Sequence, residues 1–216
     1  MSTSVDKSRR SPRLSAAESR ARILAAARRG FTRAGYDTVG VREIAADAGV
    51  DPAMLPRLFG SKEALFAEIA NRAFSLEPAF EGPLEGLGAR VARHLLGPIE
   101  KPPSAEFDEF AFLLRSVGSP VAAPILSRAL HAHFVGPLSE RMSGEDAELR
   151  AALVTAYVLG FAVLRAALGS PVIDDGDPEL IVARLGNAIQ ECLSETRTGP
   201  GSSRAATGPK ARGRSP

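Results

Sequence analysis

The chain has 216 residues, 44% of them hydrophobic, and a formal net charge of +2, enough for one or two domains with real cores. Its single cysteine, Cys192, excludes an internal disulfide and a multi-cysteine metal cluster, and reads as a small buried apolar residue in a reducing compartment. The basic N-terminus has no apolar run behind it, so it is no secretory signal, and charge is expected to interrupt the apolar stretches before they could span a bilayer. A cytoplasmic protein without a membrane partner is the expectation.

Residues 1–14 are rich in Ser, Pro and Arg and read as a disordered basic arm. The first helix opens at Ser15 with Glu18 three residues on, the spacing of a capping box. Ile23, Ala27 and Phe31 recur along one face, and Gly35 supplies a stop. A second helix is expected over 41–48, a third over 52–59, and a fourth from Ser61 to about 76. The stretch EPAFEGPLEGLG (77–88) reads as a change of register between domains. Further helices are expected near 84–96, 105–117, 121–141, 146–168 and 178–194, the last with Asp177 as N-cap and Pro178 at its first position. No stretch shows strand alternation. Residues 197–216 read as a disordered basic tail. The fold class is therefore all-α with about nine helices: a three-helix head over 15–62 and a helical body over 63–196.

Charge is uneven along this layout. Residues 1–62 hold 12 Lys+Arg against 6 Asp+Glu, residues 63–196 hold 10 against 19, and residues 197–216 hold 5 against none. A basic head on an acidic body directs the head towards a polyanion. Within the head, Ala45 is a small residue where two helices could touch, and Gly49 suits a turn between them. Ile44, Ala48, Val50, Leu55 and Leu58 fall where a shared core would lie. This is the pattern of a helix-turn-helix, although an ordinary αα-hairpin in a bundle fits the same spacing. With Asp51 as cap and Pro52 first, Pro56 becomes the fifth residue of the third helix. There it removes the bond to the Pro52 carbonyl and is expected to kink the helix.

Residues 20–69, RARILAAARRGFTRAGYDTVGVREIAADAGVDPAMLPRLFGSKEALFAEI, closely resemble the N-terminal domain of the tetracycline-repressor (TetR) family of bacterial regulators. The likeness lies in the Ile23/Ala27/Phe31 helix, GYDTV, VREIAADAGV and FGSKEALF, in that order. The segment LRAALVTAYVLGFAVLRAALGSPVIDDGDPELIVARLGNAIQECL resembles the C-terminal domain of a group common in high-GC actinobacteria. The resemblance implies a palindromic DNA operator read by a homodimer, a small-molecule effector of unknown identity bound by the body, and release of DNA by that ligand.

The third helix should then enter the major groove. Asp51 and Pro52 open it, Ala53 and Met54 suit thymine methyls, and Arg57 could reach guanine or a phosphate. Gly40, Val41 and Arg42 start the second helix beside the DNA backbone, and Lys62 matches the family's phosphate-binding lysine. Lys7, Arg9, Arg10 and Arg13 in the arm could follow phosphates or enter the minor groove. Three positions depart from the family: Gly40 where a Ser or Thr usually caps, Pro56 where a Tyr usually stands, and Leu58 where His or Tyr is common. A head poor in neutral phosphate contacts should rely on Arg and Lys charge.

In the body, the small residues Ala152, Ala156 and Gly160, with Ala183 and Gly186 on the last helix, are expected at the dimer interface. Phe107, Phe110, Leu114, Phe134, Tyr157 and Phe161 are candidates for the effector pocket, with Arg115 and Arg165 as polar anchors. His131 and His133 are two apart, unlike a helical zinc pair, and read as surface histidines. No nucleophile–base pair, metal cluster or phosphate loop is visible, so neither catalytic residues nor a cofactor are expected. The competing reading is a ligand- or partner-binding protein whose DNA binding has weakened.

Overall fold

The computed structural model describes residues 15–74, 78–97 and 107–195; the arm and the tail lie outside them. Among the described residues the regular structure is helical. Four helices make the head: α1 (Ala16–Thr38), α2 (Val41–Ala48), α3 (Met54–Phe59) and α4 (Lys62–Ala73). Ser15 and Glu18 form the expected capping box, each side chain taking the other's backbone N–H at 3.1 and 2.8 Å. Gly35 breaks α1 with φ 76, and one more turn carries the chain to Thr38. Ser61 caps α4 by accepting the Ala64 N–H at 3.1 Å.

The body follows a 3₁₀ turn, Pro78–Phe80. It contains α5 (Leu87–Leu96), α6 (Glu109–Ser116) and α7, which runs Ala122–Leu130, through a π-helical turn His131–Val135, into Gly136–Ser139. Next comes α8, Ala147–Ala162 continuing through a second π turn, Val163–Ala167. A short α9 (Pro171–Asp174) and α10 (Pro178–Leu193) complete it. The short α9 occupies what the sequence reads as a connection. The π turns, His131–Val135 and Val163–Ala167, are not among the elements expected from the sequence.

Two cores result. The first joins head and body: Ile23, Phe31, Leu55 and Phe66 are buried together with Phe112 of α6 and Leu126 of α7. Phe112 stacks on Phe66 with centroids 4.6 Å apart, and Phe31 meets Phe66 edge-on at 5.1 Å. The expected boundary at residue 62 thus falls at the start of α4, whose buried face belongs to the head's core. At this junction Gly35 lies so close to α6 that a Cβ would overlap the Arg115 carbonyl. Ser119, just before α7, donates to Asp37 at 2.8 Å.

The second core packs Leu87, Val91, Phe134, Leu138, Val154 and Ile189 between α5, α7, α8 and α10. α5 and α10 touch backbone to backbone where Gly88 faces Gly186. Gln190 clamps that crossing, accepting from the Gly88 N–H and donating to the Leu84 carbonyl, both at 3.1 Å. Arg150, 4% exposed, pairs with Asp146 at 2.8 Å and donates to the carbonyls of Ser143 and Leu193, tying the start of α8 to the end of α10. By length and composition alone Ala147–Ala167 could cross a bilayer, its most apolar window having a mean hydropathy of 1.6 and being 22% buried within the chain; within that stretch Arg150 and Arg165 leave only residues 151–164 free of charge, as expected.

Candidate nucleic-acid interface

The head presents the starts of α2, α3 and α4. Asp51 does not cap α3 directly. Its carboxylate accepts the Ala53 N–H at 2.8 Å in a turn that precedes the helix, and α3 begins at Met54. Pro56 is therefore the third helical residue, where an N–H would have no helical partner. The Pro52 carbonyl is taken instead by the Leu55 N–H at 3.3 Å. This corrects the expected kink: the helix starts two residues later than its sequence suggests, and the proline falls within the first turn, where it is tolerated. Pro56, Arg57, Pro52 and Ala53 are exposed, whereas Met54 is half-buried and packs with Leu58 against the first core. Val41 likewise packs inward, while Gly40 and Arg42 are exposed. Gly40 caps α2 without a side-chain bond, as its lack of a side chain requires.

Electrostatics sorts the basic residues. On α1, Arg29 pairs with Asp47 of α2 at 2.8 Å, Arg33 with Glu43 at 3.0 Å, and Arg20 with Glu68 of α4 at 2.5 Å. These pairs occupy both acids of α2 and Glu68 of α4, and no carboxylate among the described residues pairs with Arg42 or Arg57. Lys62 is half-buried, its ammonium 4.2 Å from the Tyr36 ring centroid. Burial holds its pKa below the usual lysine value, against the opposing pull of Asp37 and Glu63. Tyr36 is buried and donates to Glu63 at 2.8 Å. Burial first, then that bond, pushes the phenol's pKa up, so the ring stays neutral beneath the cation.

The sequence reading missed Tyr36, Arg29 and Arg33. Tyr36 stands within GYDTV, but its contact with Lys62 spans a turn, two helices and a loop. The arginine pairs need the α1–α2 packing to become visible.

A model of the bacterial regulatory proteins of the tetR family matches residues 23–69, and one of the tetracyclin repressor-like C-terminal domain matches residues 85–193. The chain belongs to the TetR family. It is similar to a TetR-family regulator from Streptomyces coelicolor A3 at 29% identity, over 86% of this chain and 100% of that one, with a TM-score of 0.54. The multidrug binding protein EbrR, solved with ethidium, shares the fold at 23% identity, over 79% and 98% of the two chains, with a TM-score of 0.57. NalD of Pseudomonas aeruginosa, the secondary repressor of an efflux pump, shares it at 20% identity over 81% and 97%, with a TM-score of 0.55. No curated protein was found to match. The non-enzymatic character of TetR regulators agrees with the absence of a catalytic constellation from the sequence reading.

Within this TetR body, Phe107, Phe134 and Arg165, three of the residues expected to line an effector pocket, have separate surroundings. Phe107 lies under the Arg28 guanidinium, 4.3 Å from it, and 5.3 Å from Phe112, at the head–body junction. Phe134 is buried against Phe80 in the second core, centroids 4.9 Å apart. Arg165 caps α5 through Nη1, donating to the carbonyls of Leu95 and Gly97 at 2.5 and 2.9 Å, while its buried Nε makes no hydrogen bond. Arg115 is exposed, as is Tyr157, and Phe110, Leu114 and Phe161 are half-buried.

The structure instead opens a groove of about 660 Å³ between α7 and α8 that none of those residues lines. Two residues expected at the dimer interface, Ala152 and Ala156, do line it. Both are exposed, as are Gly160 and Ala183. Gly186 is the exception: it is buried against Ala89 and Gly88 of its own chain, so its small size serves the α5–α10 crossing.

Proposed function

We propose that this TetR-family chain is a ligand-responsive repressor that reads a palindromic operator as a homodimer in the cytoplasm and leaves it when a small molecule binds the body. The observation that carries the reading is the charge sorting on the head: Glu43 and Asp47 of α2 and Glu68 of α4 are paired by α1 arginines, while Arg42 of α2 and Arg57 of α3 stay exposed with no carboxylate paired to them among the described residues. Lys62 and the free N–H groups of the α4 terminus supply a phosphate site next to them. Ala53 and Arg57 are the exposed residues of the α3 region suited to base edges.

A dimer supplies the second half-site. Its interface is the outward face of α8 with α10, where Leu149, Leu153, Tyr157, Leu164 and Leu180 stand 63%, 44%, 43%, 47% and 53% exposed. So much apolar surface on one face is characteristic of an association site. The repressor NalD and the ethidium complex of EbrR support the repression and small-molecule halves of the reading by likeness of fold.

Fluorescence anisotropy with the DNA upstream of the protein's own gene tests it. Sequence-selective binding is expected, with affinity falling steeply in salt. Two phosphate-directed cations, Arg42 and Lys62, on each of two protomers give a log–log slope of about −4. Binding that ignores sequence would overturn the proposal in favour of a body that senses ligands without an operator.

A further inference from the structure

We propose that Tyr36 is a positioning residue for the DNA-phosphate contact of Lys62: its ring seats the Lys62 ammonium, and its hydroxyl keeps the Glu63 carboxylate from neutralising that cation. This deepens the reading of the head as a DNA-binding module and rests on it. Tyr36 is only 4% exposed, too little to meet a phosphate, so it acts through its neighbours. The first core fixes its ring, which stacks 6.0 Å from Phe31 and meets Phe66 edge-on at 5.0 Å. The half-buried Lys62 lies over that ring, its Nζ 4.2 Å from the centroid.

A lysine gives up much of its rotamer freedom when a phosphate immobilises it; one already seated on a fixed ring gives up less. The ring attracts the cation through its quadrupole without cancelling its charge, and the N–H donors turned away from it stay available to phosphate oxygens. A carboxylate in the same place would cancel the charge, and two are near. Burial lowers the Lys62 pKa, and Asp37 and Glu63 both pull against it. Yet no carboxylate among the described residues pairs with Lys62. Each of the two accepts a hydroxyl instead, Asp37 from Ser119 and Glu63 from Tyr36, both at 2.8 Å. Glu63 is the one free to swing, because it stands exposed in the first turn of α4 directly beside Lys62. Its other hydrogen bonds, to its own N–H and to Ser61, come from the same helix start, and a phosphate at that terminus would claim such N–H groups for itself. The Tyr36 bond comes from α1 and survives that competition.

The test is fluorescence anisotropy of the full chain with a mixed-sequence DNA duplex, which reads phosphate contacts without requiring an operator. Tyr36→Phe keeps the ring and releases Glu63, whose lost bond water replaces, so the fold is retained. It should weaken binding about threefold to fivefold, the range for a largely exposed ion pair. Tyr36→Leu removes both contacts and should weaken binding at least about tenfold. In a Glu63→Gln background there is no carboxylate to release, and Tyr36→Phe should then have no effect. The ring contact has its own readout without DNA: the proton NMR signal of the Lys62 ε-methylene should be shifted upfield by the ring, in Tyr36→Phe as in the parent, and return towards the free-lysine position in Tyr36→Leu. A Tyr36→Phe chain that binds as tightly as the parent, or loses as much with Glu63→Gln as without it, overturns the proposal whether or not the leucine variant folds. A Lys62 signal with no upfield shift in the parent does the same. Selectivity for the upstream DNA is measured separately: its failure with these effects intact would sink the operator reading and leave the role of Tyr36 standing, and a chain that binds no duplex overturns both.

Discussion

Pro56 shows how far one residue's meaning depends on where its helix begins. Counted from Asp51 it breaks a backbone bond; counted from Met54 it replaces an N–H that had no partner. The tyrosine that the family usually carries there would therefore not relieve strain. Pro56→Tyr is expected to lower stability slightly, by about 0.5 kcal/mol, because a compatible proline restricts the unfolded chain. The same change should raise operator affinity by adding a phosphate-binding hydroxyl to an exposed position. Urea unfolding and anisotropy titration measure the two effects independently, and a fall in affinity would mean that the shape of the proline itself meets the DNA.

Among the elements, those with local signals were legible in the sequence. Ser15 with Glu18, Ser61, and Asp177 with Pro178 each announce a helix start by satisfying free N–H groups. Elements defined by distant partners were not. Gly186 belongs to a crossing with Gly88, nearly a hundred residues earlier, and Arg165 caps a helix that ends near Leu95. The eight expected pocket residues are five aromatics, a leucine and two arginines of the middle helices, whereas the α7–α8 groove arises from alanines and a π turn, which carry no compositional flag.

Gly35 tests the α1–α6 contact as an element-level device. Alanine there must adopt φ 76 and overlap the Arg115 carbonyl, so Gly35→Ala should cost about 1–3 kcal/mol in unfolding free energy and loosen the head from the body. Gly49→Ala is the control. It also has positive φ, 65, but only the mobile Arg22 guanidinium lies near, and its loss should be the smaller. Equal losses would show that the junction adds nothing to local strain.

At the scale of the whole molecule, α8 has two demands on one surface. Its inner face holds Ala151 and Val154 in the second core, while its outer face carries the apolar row and forms one wall of the groove. Leu153→Glu places a charge in that row without disturbing the inner face. Light scattering should then report monomers, and operator affinity should fall on the order of 100-fold as the two half-sites are bound separately. A variant that stays dimeric would remove α8 from the interface.

Ser119 joins these scales through one oxygen. It donates to Asp37 at 2.8 Å and accepts from the N–H groups of Val121 and Ala122 at 3.3 and 3.2 Å. A hydroxyl has one donor and two acceptor sites, so its capacity is spent, and at 4% exposure water has little access to replace a lost partner. The first turn of α7 and the last turn of α1 are thus pinned to the same atom. Any rotation of α7 about its axis, such as straightening its π turn would require, must break one of these bonds or carry the DNA-reading head along with it.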